Sequence, residues 1–125
     1  EIDAMTKWIV AILGPDVPLH FSAFHPDFKM LDTMPTPLST VSHARDIAMS
    51  NGLKYVYTGN VTDPEGGITV CSNCKRGIIA RDWYAITGWY LNAAGKCQFC
   101  EADCPGVFHA APGTWGNRRL PVAVG

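Results

Sequence analysis

Leu53-Lys54-Tyr55-Val56-Tyr57-Thr58, residues 53–58, closed by Gly59-Asn60, is the stretch on which the fold turns. Four of these six residues are aromatic or β-branched, the types that suit a pleated, half-buried surface, and Gly-Asn is a turn signal, so the run predicts a strand. Upstream of it, Thr36-Pro37 predicts a helix start, with Thr as N-cap and Pro in the first helical position. Leu38, Val41, Ala44, Ile47 and Ala48 supply that helix with a buried face, and Gly52 ends it. Residues 25–35 carry two prolines and little periodicity, a loop long enough to suggest function. Val17 to Phe24 reads as another strand, with Pro18 confining its start to a strand end or edge. Before it, Met5, Trp8, Ile9, Ile12 and Leu13 recur at helical spacing and predict an amphipathic helix stopped by Gly14-Pro15.

Helix, strand, helix, strand in this order implies parallel strands joined by a right-handed crossover. Two parallel strands alone make no stable sheet, because both faces of such a sheet need cover. The fold class expected is therefore α/β: the last two βα units of a partial (β/α) barrel over residues 1–64, with further strands supplied by a missing N-terminal barrel portion or by another subunit. The start at Glu1, with no charged segment and apolar core ahead of a cleavage site, is expected to reflect processing or truncation.

Residues 65–125 carry a different signal. Cys71-Ser72-Asn73-Cys74 and Cys97-Gln98-Phe99-Cys100 are C-x-x-C pairs separated by 22 residues, a little beyond the usual spacing of a four-cysteine zinc site. Two residues between cysteines let both thiolates of one turn reach a tetrahedral ion, and a hairpin brings the second turn opposite. Ile78 to Ala80, Asp82 to Ile86 and Trp89 to Leu91 are the intervening strand candidates, which completes a small antiparallel subdomain of zinc-ribbon or rubredoxin type. Zinc leads and iron competes, since tetrahedral sulfur ligation suits both. Two disulfides, a redox dithiol and unpaired thiols are the other readings. Cys104 makes the cysteine count odd; it is either a small core residue or a replacement for Cys100 as fourth ligand.

Composition narrows the function classes. The chain has 125 residues, 47% hydrophobic and 17% charged, which suits one small globular unit and not a disordered one. A formal net charge of −1 offers no field to recruit a polyanion, so a nucleic-acid partner is not expected. The longest apolar run, Trp8 to Leu13, is six residues against the ~20 a membrane span needs, so no membrane association is expected either. Paired C-x-x-C spacing favours metal over a disulfide framework, and with it a reducing, cytoplasmic compartment.

Several strings are specific. LGPDVPLHFSAFHPDFKM (13–30), TPLSTVSHARDIAMSNGLKYVYTGNV (36–61), the two C-x-x-C pairs with RDWY between them, and PGVF plus PGTWGNRRLPV near the end together resemble the C-terminal third of the AmmeMemoRadiSam system radical SAM enzymes, relatives of pyruvate formate-lyase activating enzymes. The resemblance implies a partial barrel that holds a 4Fe-4S cluster and S-adenosylmethionine, followed by a cysteine-bearing ribbon. It implies reductive cleavage of S-adenosylmethionine and hydrogen abstraction from a substrate or protein partner that it does not identify. The family's cluster motif, C-x-x-x-C-x-x-C, belongs to an upstream region outside these residues, so this chain by itself is expected to be inactive. Two departures matter: where such sequences read C-G before an I-P-G-V-F stretch, Glu101 here replaces the Gly and Cys104 precedes Pro105.

In parallel barrels the site lies at the C-terminal ends of the strands. That rule selects His20, His25 and Asp27 after the first strand and Asn60 after the second as residues facing substrate or cofactor. Alternation along the first strand sends Val17, Leu19, Phe21 and Ala23 toward covering helices and His20 and Ser22 the other way. His43 is expected on an exposed helix face, and His109 is superfluous beside four thiolates. Trp83, Trp89, Trp115, Tyr84 and Tyr90 are expected to build the ribbon's core rather than a base-stacking platform.

Overall fold

The computed structural model describes residues 1–27, 32–114, 116, 118 and 121–123. Its order is α1 (Ile2–Leu13), β1 (Leu19–Ser22), α2 (Leu38–Ser50), β2 (Val56–Gly59), a 3-10 turn (Glu65–Gly67), β3 (Thr69–Val70), β4 (Gly77–Asp82) and β5 (Ala85–Trp89). β1 and β2 pair in parallel, with Leu19 opposite Val56 and Ser22 opposite Gly59. β3, β4 and β5 form a separate antiparallel sheet in that order. The fold is thus mixed α/β, a short parallel pair followed by a small antiparallel ribbon. Among the described residues no helix is long and apolar enough to cross a membrane.

The parallel pair is built much as its alternation implies. Leu19 and Phe21 turn inward with Val17 onto a core of Ala48, Leu53 and Val56, while His20 and Ser22 are exposed. α2 buries Val41, Ala44 and Ala48, but Leu38 stays exposed at its first turn. Its C-terminus closes as a Schellman motif: Gly52, at φ 105, donates to Met49 O and Leu53 N donates to Ala48 O. That left-handed position explains the glycine.

Two expectations need correction here. Thr36 is not the N-cap of α2; Pro37 takes that position at φ −63, ψ 148, and no side chain caps the helix. Thr36 instead ties the loop to the end of β1, its amide donating to Phe24 O at 2.9 Å and its hydroxyl accepting from Phe24 N at 3.0 Å. The hydroxyl is spent on closing the loop, so it is not available to α2.

The second correction concerns α1. Ile9 and Val10 reach the core, but Trp8, Ile12 and Leu13 remain 59–62% exposed and Met5 is exposed as well. The residue that α1 buries is Thr6, whose hydroxyl donates to Ile2 O at 2.9 Å and accepts from Asn51 Nδ2 at 2.8 Å. Asn51 Nδ2 also reaches Asp3 Oδ1 at 2.9 Å. These bonds fix which face of α1 meets α2, and a two-stranded sheet is too narrow to cover the rest of the apolar stripe.

The ribbon has its own core of Cys71, Ile78, Ile79, Leu91 and Cys97, against which Trp89 and Phe108 pack. Its hairpin turns at Trp83-Tyr84, since Asp82 pairs with Ala85. The segment Asp82 to Ile86 is therefore a turn with two strand ends, not one strand, and Trp83 adopts φ 52 there. Trp83, Tyr84 and Tyr90 are exposed rather than core residues, Trp89 is partly buried, and Trp115 lies outside the described residues.

Candidate metal centre

Both C-x-x-C segments fold into the same turn. Cys71 N donates to Arg76 O at 2.9 Å and Lys75 N donates back to Cys71 O at 3.0 Å. Cys97 N likewise donates to Ala102 O at 2.9 Å and Glu101 N to Cys97 O at 2.8 Å. The residue after each second cysteine, Lys75 at φ 65 and Glu101 at φ 61, is left-handed, a conformation that favours glycine. Backbone amides two residues beyond each second cysteine, on Arg76 and Ala102, point at the sulfurs of Cys74 and Cys100. Such N–H donors stabilise thiolates.

The turns face each other, and the four sulfurs lie within 4.8 Å of one another. Cys71 Sγ is 3.6 Å from Cys100 Sγ, and Cys74 Sγ is 3.7 Å from Cys97 Sγ. A tetrahedron with metal–sulfur bonds of ~2.3 Å has edges of about 3.8 Å, so these separations fit one ion at the centre. They are far beyond the ~2.05 Å of a disulfide, and all five cysteines are free thiols. Cys71 and Cys97 are buried and the other two are half-buried, an arrangement typical of a closed structural site with no position open to substrate. The chain therefore contains a four-cysteine metal-binding site.

Electrostatics show why a cation belongs there. The Asn73 side chain and the Ala102 amide hydrogen-bond to the Cys100 sulfur and bring its pKa down to about 6. At Cys74 the Arg76 amide acts in the same direction, but burial and the neighbouring Cys97, Cys100 and Cys71 sulfurs outweigh it and push the thiol up to about 11. One sulfur ionises easily and another resists, as expected of four sulfurs that repel as thiolates until a cation neutralises them.

Cys104 stays out of this quartet. It packs against the ribbon core, and burial raises its thiol pKa. His109 and His43 are exposed and take no part in the cluster. Iron and zinc fit the sulfur geometry equally.

The strand-end residues are spread more widely. His20 stacks on Tyr57 with ring centroids 4.9 Å apart. Asn60, left-handed at φ 60, donates from Nδ2 to Ala23 O at 3.0 Å and so joins the ends of β1 and β2. Both line a cavity of about 1100 Å³ between the parallel pair and the ribbon. His25, whose Nδ1 lies 3.1 Å from Pro26 O, and Asp27 are exposed on the loop after β1 and do not line it. Sequence reasoning missed Arg81, which lies on the ribbon and faces the same cavity. Its only advance signal was its place in RDWY, beside the hairpin turn.

No family model matches the chain, and no solved structure matches it. Among curated proteins it is similar to an uncharacterized protein of Methanocaldococcus jannaschii, with 45% identity over 91 residues that cover 70% of this chain and 27% of that protein. The chain thus spans about a quarter of the length of the curated relative it matches.

Proposed function

We propose that the cysteine quartet holds a structural Zn(II) ion that closes a ribbon within a longer α/β enzyme of radical SAM type. The observation that carries the metal part is the pair of 3.6 and 3.7 Å sulfur separations across two matching turns. Bound there, the ion would neutralise the thiolates and fix the two turns together; with four protein ligands it leaves no place for a substrate. Metal analysis of protein purified from cells supplied with both metals tests this. Stoichiometric zinc in a colourless protein supports it, and a red protein with stoichiometric iron would replace it with an electron-transfer site.

The larger reading is supported by three features. Trp8, Ile12 and Leu13 leave one side of α1 without cover, and the outer edge of β1 borders a trough of about 400 Å³ that Phe21, Val41, Ala44 and Ile47 help to line. Both are what the flank of a wider parallel sheet would look like before its next strand and helix are added. The curated relative is long enough to supply such strands. In that reading His20 and Asn60 stand at the strand ends, facing substrate or cofactor, while the 4Fe-4S cluster belongs to the preceding part of the protein. In the complete protein the cluster would supply the reducing power for cleavage of S-adenosylmethionine and hydrogen abstraction from the substrate. The test is the complete protein, reduced with dithionite in the presence of S-adenosylmethionine: 5′-deoxyadenosine should form. Its absence from a cluster-loaded preparation would leave the ribbon as a protein-binding module.

A further inference from the structure

The cavity between the two sheets contains a charge that takes part in no ion pair among the described residues. Arg81, on β4, is half-buried in its wall. Its Nη1 donates to Gly67 O at 3.1 Å and to Thr69 Oγ1 at 2.9 Å, both neutral acceptors. The guanidinium carbon lies 5.5 Å from the centre of the Tyr57 ring. The ion pairs found among the described residues are Lys7–Asp3, Lys54–Asp16 and Lys96–Asp103, and none includes Arg81. A guanidinium has five N–H groups in a planar fork that matches a carboxylate or phosphate.

The wall's own acids are placed to do other things. Asp63 Oδ2 accepts from Thr58 Oγ1 at 2.9 Å, Asp16 pairs with Lys54 at 3.1 Å, and Asp82 is exposed at the rim, where solvent screens it.

Aromatic rings stand on opposite sides of the cavity, among polar and small residues. His20 and Tyr57 form a stacked pair on one side, and Trp83 and Tyr84 stand at the hairpin turn on the other, 56% and 68% exposed. Trp83, at φ 52, is the first residue of the two-residue hairpin loop, where a positive φ matches the twist of the flanking strands and fixes the position of the ring. The β4–β5 register shifts between Ala80 and Arg81, a bulge of the kind that re-aims a side chain. A cavity of this size, with aromatic rings in its walls and one convergent cation, has the make-up of a small-molecule site.

From these observations we propose that the cavity binds a small, ring-bearing anion, with Arg81 gripping its carboxylate or phosphate and Trp83 covering the ring. The claim concerns this chain's own walls and holds whichever metal fills the cysteine site.

The test uses the metal-loaded chain and three probes: benzoate, phenyl phosphate and the neutral isostere benzamide. Tryptophan fluorescence is titrated for each, with Trp83→Phe identifying the reporter. Benzoate, phenyl phosphate or both should quench saturably and bind at least about tenfold more tightly than benzamide, and which of the two anions wins names the head group. Arg81→Gln should abolish that preference while leaving metal content and circular dichroism unchanged. Because Arg81 also fastens Gly67 and Thr69, the wild-type comparison stands alone if the variant does not fold. Equal affinity for benzamide and the anions, no saturable binding by any probe, or a folded Arg81→Gln protein that keeps the preference would each overturn the proposal.

Discussion

Tyr57 Oη and Thr69 Oγ1 lie 2.8 Å apart, so a hydrogen bond joins β2 of the parallel pair to β3 of the ribbon. Thr69 is buried, and its hydroxyl also accepts from Arg81 Nη1. Tyr57→Phe would therefore leave Thr69 with a partner and keep the ring against His20 and Arg81. The expected loss in denaturant unfolding is at the low end of the about 0.5–1.5 kcal/mol typical of a hydrogen bond. Thr69→Val removes both bonds and leaves Arg81 with one acceptor fewer, so it should cost more. If the two substitutions are combined in a double-mutant cycle and simply add, the bond across the two sheets carries no coupling.

Glu101 and Lys75 occupy equivalent left-handed positions, at φ 61 and φ 65. A side chain there costs roughly 1–2 kcal/mol that glycine avoids, less what glycine loses through its freer unfolded chain. Glu101→Gly is thus expected to stabilise the ribbon by up to about 1 kcal/mol, seen as a raised Tm with metal bound. Lys75→Gly should gain less, because Lys75 Nζ also donates to Ser72 O at 2.8 Å. An unchanged or lowered Tm in Glu101→Gly would show that the turn is not strained.

Cys97 and Cys104 both touch the ribbon core, yet only Cys97 belongs to the sulfur quartet. Cys97→Ser should abolish stoichiometric metal and unfold the ribbon, since structural zinc supplies on the order of 10–16 kcal/mol of apparent binding energy to folds of this kind. Cys104→Ala should keep one ion per chain and lose about 1 kcal/mol from packing. Metal analysis after gel filtration, with circular dichroism before and after a chelator, separates the two outcomes. Metal loss in Cys104→Ala would move that residue into the site.

The contrast between these two cysteines shows what was legible in advance. C-x-x-C spacing states a metal preference directly, because ligand number and turn geometry are local properties of the chain. The parallel pairing of Leu19–Ser22 with Val56–Gly59 was legible for a similar reason: helix and strand periods alternate cleanly on either side of Gly52. What failed depended on a partner far along the chain. Thr36 has the sequence of an N-cap, but Phe24 competes for its hydroxyl. The α1 stripe predicts burial of Trp8 and Ile12, but the face that packs is chosen by Asn51, 45 residues beyond Thr6. Arg81 stands in RDWY, a string that names no role for it, and its meaning comes from the cavity that two separate sheets enclose.

Asp3 makes the α1–α2 junction pH-dependent. Hydrogen bonds from Lys7 and then Asn51 hold its carboxyl below the usual value of 3.8. A depressed carboxylate pKa adds stability that is fully present above the unfolded value and is lost as pH falls through the folded one. The junction should therefore keep its strength at neutral pH and weaken only below about pH 4. The effect is small, because Asp3 and Lys7 are both exposed and their 2.8 Å pair is screened. Asp3→Asn removes the charge but keeps an oxygen for Asn51, so it should flatten the pH dependence of hydrogen-exchange protection in α1 while leaving neutral-pH protection nearly unchanged. Asn51→Ala removes the donor to Thr6 Oγ1 as well as the contact to Asp3 Oδ1, and should lower protection at every pH. Equal acid sensitivity in wild type and Asp3→Asn would mean that some other group sets the junction's response to pH.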